Sequence, residues 1–251
     1  RRQLAWHAGF GHIIVSPQFE ADDAVEVIAA RRQHQHRYRA GRANPAQGLD
    51  SADARHHHVE NDQRKISGQG FGNAGSFAAK LLAEQGCKIM AISDVSGAFT
   101  CKAGIDTDAA IAHVAKHKTL AGFDRVRGVE KMKEALGLLE LPVDILIPAA
   151  LENQITSKNA KRVKAKLIAE CANGPCTPEA DDILEKKRVF VIPDILCDAG
   201  GVAVSYLEWV QNRMGYYWRY PRVLRDLEDM MNTAFDTVLE NSLDHDVPLR
   251  T

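Results

Sequence analysis

Three glycines in a G-x-G-x-x-G spacing, at residues 70–75, give the clearest chemical signal in the sequence. Gly70 would allow a tight turn out of a strand, and Gly72 would let the backbone approach a pyrophosphate. Gly75 would let the following helix pack closely on a sheet. The start of that helix would offer unpaired N–H groups to the phosphates. The spacing predicts a dinucleotide site, and the alternative is an ordinary glycine-rich turn.

An acid also stands where such a site needs one. Asp94 lies 19 residues after Gly75, at the end of an apolar run that reads as the next strand. A carboxylate there would accept a hydrogen bond from the adenosine ribose and would repel a 2′-phosphate. This favours NAD as the cofactor, without excluding NADP. The alternative is a surface aspartate without a role.

The sequence also predicts the strands and helices that must position these residues. Short apolar runs, which are typical of strands, alternate with segments of helical periodicity. Strands are predicted at 88–93, 144–148, 166–172 and 189–193, and helices at 75–85, 106–117, 156–164, from 177, and at 200–214 and 222–243. This alternation is typical of an α/β protein, with a Rossmann-like, doubly wound parallel sheet. The strand before the glycines is poor, because charged residues and Gly68 surround Ile66. Whether that first strand forms stays open.

Composition limits the classes of function. The formal net charge of −1 gives no basic field for nucleic acid. No run of about 18 apolar residues predicts a membrane span, and five irregularly spaced cysteines do not form a secreted disulfide framework. We expect a cytoplasmic protein with no nucleic-acid or membrane partner. Cys171 and Cys176 lack a second Cys/His pair, so we predict no metal site.

Several longer segments carry a family resemblance. In chain order they are residues 69–75, 148–155, 172–181, 193–196 and 199–212. Together they resemble the nucleotide-binding half of the glutamate/leucine/phenylalanine/valine dehydrogenases, most closely the glutamate group. The resemblance implies that L-glutamate, water and NAD(P)⁺ are converted reversibly to 2-oxoglutarate, ammonium and NAD(P)H.

The resemblance also implies roles for individual residues. The pyrophosphate would lie against Gly70, Phe71, Gly72, Asn73 and Ala74, with Asp94 at the ribose. Ala149, Ala150 and Asn173 would line the path from adenosine to nicotinamide. Asp198 stands where the family has an asparagine near the nicotinamide. An aspartate anion there could accept a hydrogen bond from the carboxamide of the nicotinamide but could not donate one to it. Val202 and Ser205 would touch the substrate side chain. The alternative for Ser205 is a bond to a carbonyl one turn earlier in its helix.

Residue usage changes abruptly near position 65. All 14 lysines lie in residues 65–251, and 7 of the 10 histidines lie in residues 1–64. A short strand at 12–16 and a helix at 22–30 are conceivable, but residues 31–64 show little apolar periodicity. We predict a largely irregular segment, 1–65, without family resemblance, followed by a cofactor domain, 66–251. A frame error or a gene fusion joined near Lys65 would explain the change.

No catalytic residue is assigned. In the family, an N-terminal substrate domain supplies the catalytic lysine in a glycine-rich segment, and residues 1–64 contain no lysine. We therefore expect a glutamate dehydrogenase chain that is inactive alone. The alternatives are a non-catalytic NAD(H)-binding protein with a regulatory role, and a leucine/valine-type dehydrogenase. Family members are commonly homo-oligomers, and the assembly of this chain stays open.

Overall fold

The computed structural model describes residues 64–251. The strand expected at 12–16, the helix expected at 22–30 and the irregular stretch before residue 64 lie outside that range. Within the described residues, seven strands form one sheet: β1 Lys65–Gln69, β2 Lys88–Asp94, β3 Gly97–Cys101, β4 Val129–Lys131, β5 Ile145–Pro148, β6 Leu167–Ala169 and β7 Phe190–Ile192. The same part of the chain contains six α-helices: α1 Asn73–Glu84, α2 Thr107–His117, α3 Pro178–Lys186, α4 Asp194–Cys197, α5 Gly200–Met214 and α6 Tyr220–His245.

The strand order is β4-β3-β2-β1-β5-β6-β7. The chain moves outward from β1 on one side and later returns to β1's other side at β5. The order therefore reverses at β1, and in such sheets ligands bind beyond the carboxyl ends of the strands at that point. Strands β2, β1, β5, β6 and β7 are parallel to one another, which confirms the α/β class.

The sheet is mixed rather than wholly parallel, since β3 runs antiparallel to both β2 and β4. Only Val95 and Ser96 separate β2 from β3, and a two-residue connection permits only an antiparallel pair. Strands β3 and β4 were not predicted from the sequence.

The first strand forms, and it lies at the centre of the sheet. Ile66 pairs with Ile89 of β2 and with Ile145 of β5. The polar residues are accommodated because Lys65 is exposed at the strand's start and the buried Ser67 hydroxyl donates to the carbonyl oxygen of Leu138 at 3.2 Å. A buried hydroxyl with a partner avoids most of the cost of desolvation.

The helix predicted at 156–164 is wrong. The segment contains turns and a short 3₁₀ helix, Ala160–Arg162. Asn159 accounts for the difference, because its side chain accepts from the N–H of Thr156 and donates to the carbonyl of Gln154, both at 2.8 Å. Such local bonds compete with a regular helix.

Both faces of the sheet are covered, as a doubly wound fold requires. On one face the strands pack against α1, α2, α5 and α6, through residues such as Leu82 and Leu227. On the other they pack against α3 and the 3₁₀ helix Ala135–Glu140, through Leu184 and Leu138. Within residues 64–251, no helix has a stretch both long and apolar enough for a membrane crossing.

Candidate dinucleotide site

The glycine turn joins β1 to α1 at the carboxyl edge of the sheet. Gly70 has a positive φ of 90°, and the backbone N–H groups of Gly70 and Phe71 both donate to the carbonyl of Ser93, at 2.9 and 2.6 Å. A Cβ on Gly70 would lie 2.5 Å from the carbonyl oxygen of Ala149, and one on Gly75 would lie 2.0 Å from that of Gly70. Neither position has room for a side chain.

Gly72 differs from these two glycines. A Cβ there would meet no atom within 4 Å, so the space in front of it is open. Gly72 is also the N-cap of α1, no side chain caps the helix, and its first turn contains no acid. The first N–H groups of a helix have no partner within it and carry positive partial charge. Asn73 and Ala74, in that first turn, therefore border a place suited to an anion.

Asp94 ends β2 beside the turn, and the chain already holds its carboxylate. Oδ1 accepts from the Ser96 N–H at 2.8 Å and from the Ser96 hydroxyl, and Oδ2 accepts from the Leu120 N–H at 2.6 Å. An ionised carboxylate offers about four acceptor positions. Three donors from the chain therefore leave about one position for a ribose hydroxyl, at a fixed orientation.

The loop after β5 lies against the glycine turn. The Ala149 N–H donates to the carbonyl of Gln69 at 2.7 Å, and Ala150 is exposed. The Gln69 amide donates to the side-chain oxygen of Gln154 at 2.9 Å. Gln69 Oε1 is buried and lacks a partner among the residues that the structure describes. The structure thus brings Ala149 and Ala150 to the turn, and Gln154 joins them.

The loops after β6 and β7 are tied to the loop after β5. Gly174, which follows Asn173, donates its N–H to Asp194 Oδ2 at 2.7 Å. Its carbonyl accepts from the N–H of Asn153 at 2.8 Å. Asn173 is therefore held between the ends of neighbouring strands, beyond the carboxyl edge of the sheet.

Asp198 follows α4 as its C-cap residue. Its N–H donates to the carbonyl of Asp194 at 2.9 Å. Burial raises the pKa of the Asp198 carboxyl, and the negative charge of Asp194 raises it further. Both effects oppose the charged form, and the backbone N–H of Asp198 acts in the other direction by lowering the pKa.

Val202 and Ser205 lie on the first turns of α5, directly after Asp198. Val202 is 75% exposed. The Ser205 hydroxyl donates to the carbonyl of Gly201 at 3.0 Å, so in this structure it makes the local bond that was the alternative to substrate binding. Because Ser205 is exposed, exchanging that partner for a ligand would cost little.

A cluster that the sequence analysis missed lies beside these loops. Glu170 is wholly buried, and Arg250 pairs with its Oε2, with Asp181 at 3.1 Å and with Asp194 at 3.2 Å. Burial raises the pKa of Glu170 and of Asp181, and Arg250 opposes that rise in each. Residues 193–196 were singled out from the sequence, but nothing there indicated a distant arginine as their partner.

Three groups of this cluster, Glu170, Cys176 and Asp181, place possible ligand atoms within 4.8 Å of one another. Arg250 already supplies a cation to two of them. Burial raises the pKa of the Cys176 thiol, and Glu170 raises it further. Because the Arg250 guanidinium already balances the charge of these acids, the geometry favours an ion-pair cluster over a metal centre.

Comparison with known proteins identifies the family. The sequence model of the Glutamate/Leucine/Phenylalanine/Valine dehydrogenase family matches residues 50–251. The chain belongs to this family. It is 42% identical over 194 residues to the glutamate dehydrogenase of Thermotoga maritima, covering 77% of this chain and 46% of the relative. It is 46% identical over 187 residues to the NADP-specific glutamate dehydrogenase A1 of Halobacterium salinarum, covering 74% and 44%.

The NAD-specific glutamate dehydrogenase of Staphylococcus aureus is 42% identical over 197 residues, which cover 78% of this chain and 46% of that protein. Among solved structures, the glutamate dehydrogenase of Peptoniphilus asaccharolyticus matches with a TM-score of 0.63 at 32% identity, over 99% of this chain and 49% of that one. The hetero-hexameric enzyme of Thermus thermophilus, at 22% identity and a TM-score of 0.68, covers 95% of this chain and 51% of that one, and shows the fold alone. The chain spans less than half the length of the curated relatives named here.

Proposed function

We propose that residues 64–251 are the cofactor-binding half of a glutamate dehydrogenase, which binds NAD(P)(H) and interconverts L-glutamate with 2-oxoglutarate and ammonium. The hydride chemistry belongs to the nicotinamide when it is bound. The chain's own residues bind and orient the reactants. The names of relatives at 42% and 46% identity support glutamate as the substrate.

The observation that carries the proposal is the contrast among the three glycines. The chain's own backbone fills the space at Gly70 and Gly75, whereas the space at Gly72 is open. That opening lies at the N-cap of α1, where no side chain caps the helix. A pyrophosphate fits this arrangement because it needs close backbone approach and unpaired N–H donors.

The remaining residues would act along the length of the cofactor. Asp94 would accept from the adenosine ribose, and Asn173 and Asp198 would lie near the nicotinamide. Ser205 would turn from the Gly201 carbonyl to the distal carboxylate of glutamate, and Val202 would contact the carbon chain. Asp94 favours NAD, since an anion repels a 2′-phosphate, although relatives of both specificities occur.

The wider setting is also part of the proposal. All five cysteines are free thiols, which fits a reducing compartment such as the cytoplasm. Assembly with further copies of the chain would accompany activity, as the family resemblance implies. Because catalytic lysines in the family come from a substrate domain, we infer that these 251 residues do not turn over glutamate alone.

The test is an NADH titration of the full chain and of Gly72→Asp. At an N-cap, aspartate is better than glycine, so the variant should fold at least as well as the parent. Its carboxylate would capture the α1 N–H groups and repel the pyrophosphate. We expect NADH affinity to fall by at least about tenfold, since two like charges about 4 Å apart repel by about 1–4 kcal/mol near a protein surface.

Gly72→Asn is the matched control, because it caps α1 with a side chain of the same size and no charge. It should lose less NADH affinity than Gly72→Asp, and both melting temperatures should equal or exceed that of the parent. Equal NADH affinity in the parent and in Gly72→Asp would show that the glycine turn is not part of the dinucleotide site.

A further inference from the structure

We propose that Arg250 is a positioning residue for the nicotinamide end of the site. It holds Asp194, and Asp194 fixes the turn that carries Asn173. This inference rests on the proposed function, because it assigns a role in orienting the same dinucleotide.

Arg250 forms ion pairs with acids from three separate parts of the fold. Its Nη2 contacts Glu170 just after β6, its Nε lies 3.1 Å from Asp181 of α3, and its Nη1 lies 3.2 Å from Asp194 at the start of α4. The side chain of Arg250 is 33% exposed, whereas Glu170 is wholly buried. A rigid, planar guanidinium can satisfy three such acceptors at once, which a lysine ammonium on a flexible stem does poorly.

Asp194 connects Arg250 to the candidate site through hydrogen bonds. Its Oδ1 accepts from Arg250 and from the N–H of Ile195 at 2.8 Å, and its Oδ2 accepts from the Gly174 N–H at 2.7 Å. Its own N–H donates to Glu170 at 2.9 Å. The carboxylate is therefore fixed on both sides, and one of its oxygens directly holds the residue after Asn173.

The charges explain why an arginine is needed here. Burial alone would raise the pKa of Asp194, but the N–H groups of Gly174 and Ile195 and the charge of Arg250 outweigh it, so the pKa is lowered. Without Arg250, Asp194 would lose one of the donors to its Oδ1, and the buried Glu170 would lose the cation that opposes the rise in its pKa. The position of Asp194 would then be less restrained, and the Asn173–Gly174 turn that its Oδ2 holds would be less restrained with it.

The adenosine end depends on other contacts. The glycine turn is held by the carbonyl of Ser93, and Asp94 is held by Ser96 and Leu120. Arg250 has no contact with any of these residues among the interactions that the structure gives for it. Loss of Arg250 should therefore weaken binding of the nicotinamide end and leave binding of the adenosine end unchanged.

The experiment compares NADH with ADP-ribose, which lacks the nicotinamide, as ligands of the full chain and of Arg250→Gln. We expect NADH affinity to fall by about tenfold, which corresponds to the loss of about one hydrogen bond at the nicotinamide end. ADP-ribose affinity should stay within about twofold, since its contacts are unchanged. The enhancement of nicotinamide fluorescence on binding should also decrease.

Two control variants separate positioning from general stability. Asp181→Asn removes the charge from one Arg250 contact but leaves the bond to Asp194, so it should lower the melting temperature without changing the NADH to ADP-ribose affinity ratio. Arg222→Gln breaks an exposed ion pair with Asp226, 3.4 Å long, and a contact of the guanidinium with the Trp218 ring, 4.2 Å from its centroid. It should lower the melting temperature slightly and leave the affinity ratio unchanged. If Arg250→Gln does not fold, Arg250→Lys replaces it, with a smaller loss of NADH affinity expected.

The outcomes are distinct. An unchanged ratio of NADH to ADP-ribose affinity in the Arg250 variants overturns the role of Arg250, whether both affinities fall together or neither falls. If the parent chain binds neither ligand, the proposed function fails and the role of Arg250 fails with it.

Discussion

At the scale of single residues, Gly68 stands out because nothing in the fold requires a glycine there. It lies within the central strand β1, paired with Ile92 on one side and with Ile147 on the other. A Cβ at this position would meet no atom within 4 Å. Glycine in the interior of a strand loses more conformational entropy on folding than alanine does.

Gly68→Ala should therefore raise the free energy of unfolding, by about 0.4–1 kcal/mol. Chemical denaturation of parent and variant measures the difference. Gly75→Ala is the contrasting variant, because its Cβ would lie 2.0 Å from the carbonyl oxygen of Gly70 and must displace the backbone. A loss of stability in Gly68→Ala would show that the glycine serves a purpose that the fold does not reveal.

Individual site residues could be predicted from the sequence where the residues that act together lie close together along the chain. The spacing of the glycines and the position of Asp94 are set within one β-α-β unit, so they could be recognised without a structure. Arg250 and Asp194 could not be paired in this way, since 56 positions separate them and many other arginines could have been the partner. The relation of Asn173 to Asp194 likewise depends on how β6 and β7 lie side by side.

At the scale of elements, strong local signals were sufficient. The helix predicted at 106–117 is α2, with Asp106 as its N-cap, and the helix predicted from 177 is α3, with Thr177 as its N-cap. Strand β1 could not be judged from the sequence, because its stability comes from pairing on both sides rather than from its own residues. The helix expected at 156–164 does not form, because the side chain of Asn159 makes hydrogen bonds that compete with it. The helical periodicity of the sequence gives no sign of these bonds.

The cap of α2 gives a prediction at this scale. Asp106 Oδ1 accepts from the Ala109 N–H at 2.9 Å. Asp106→Ala should lower the free energy of unfolding by about 1 kcal/mol, whereas Asp106→Asn, which keeps a capping oxygen, should cost little. Thermal melting of the two variants measures this, and an equal loss in both would mean that charge, rather than capping, is what α2 requires.

At the scale of the whole molecule, the residues proposed for the dinucleotide lie together at the carboxyl edge of the sheet, where the strand order reverses at β1. The side chains proposed for the substrate lie on an outer face of α5, with Val202 75% exposed. The curated relatives are more than twice as long as the segment they share with this chain. The opposite wall of the substrate pocket is therefore expected to come from outside residues 64–251.

The final prediction concerns turnover by the 251-residue chain. It should bind NADH but produce none from NAD⁺ and L-glutamate, because the family's catalytic lysine comes from a substrate domain and residues 1–64 contain no lysine. Absorbance at the NADH band measures this, and an NADH titration of the same preparation establishes that the cofactor site is folded. A rate of about 1 per second, ordinary for an enzyme, would contradict the prediction. Turnover with leucine or valine instead of glutamate would place the chain in the branched-chain group of the family, and would require a catalytic group from within residues 65–251.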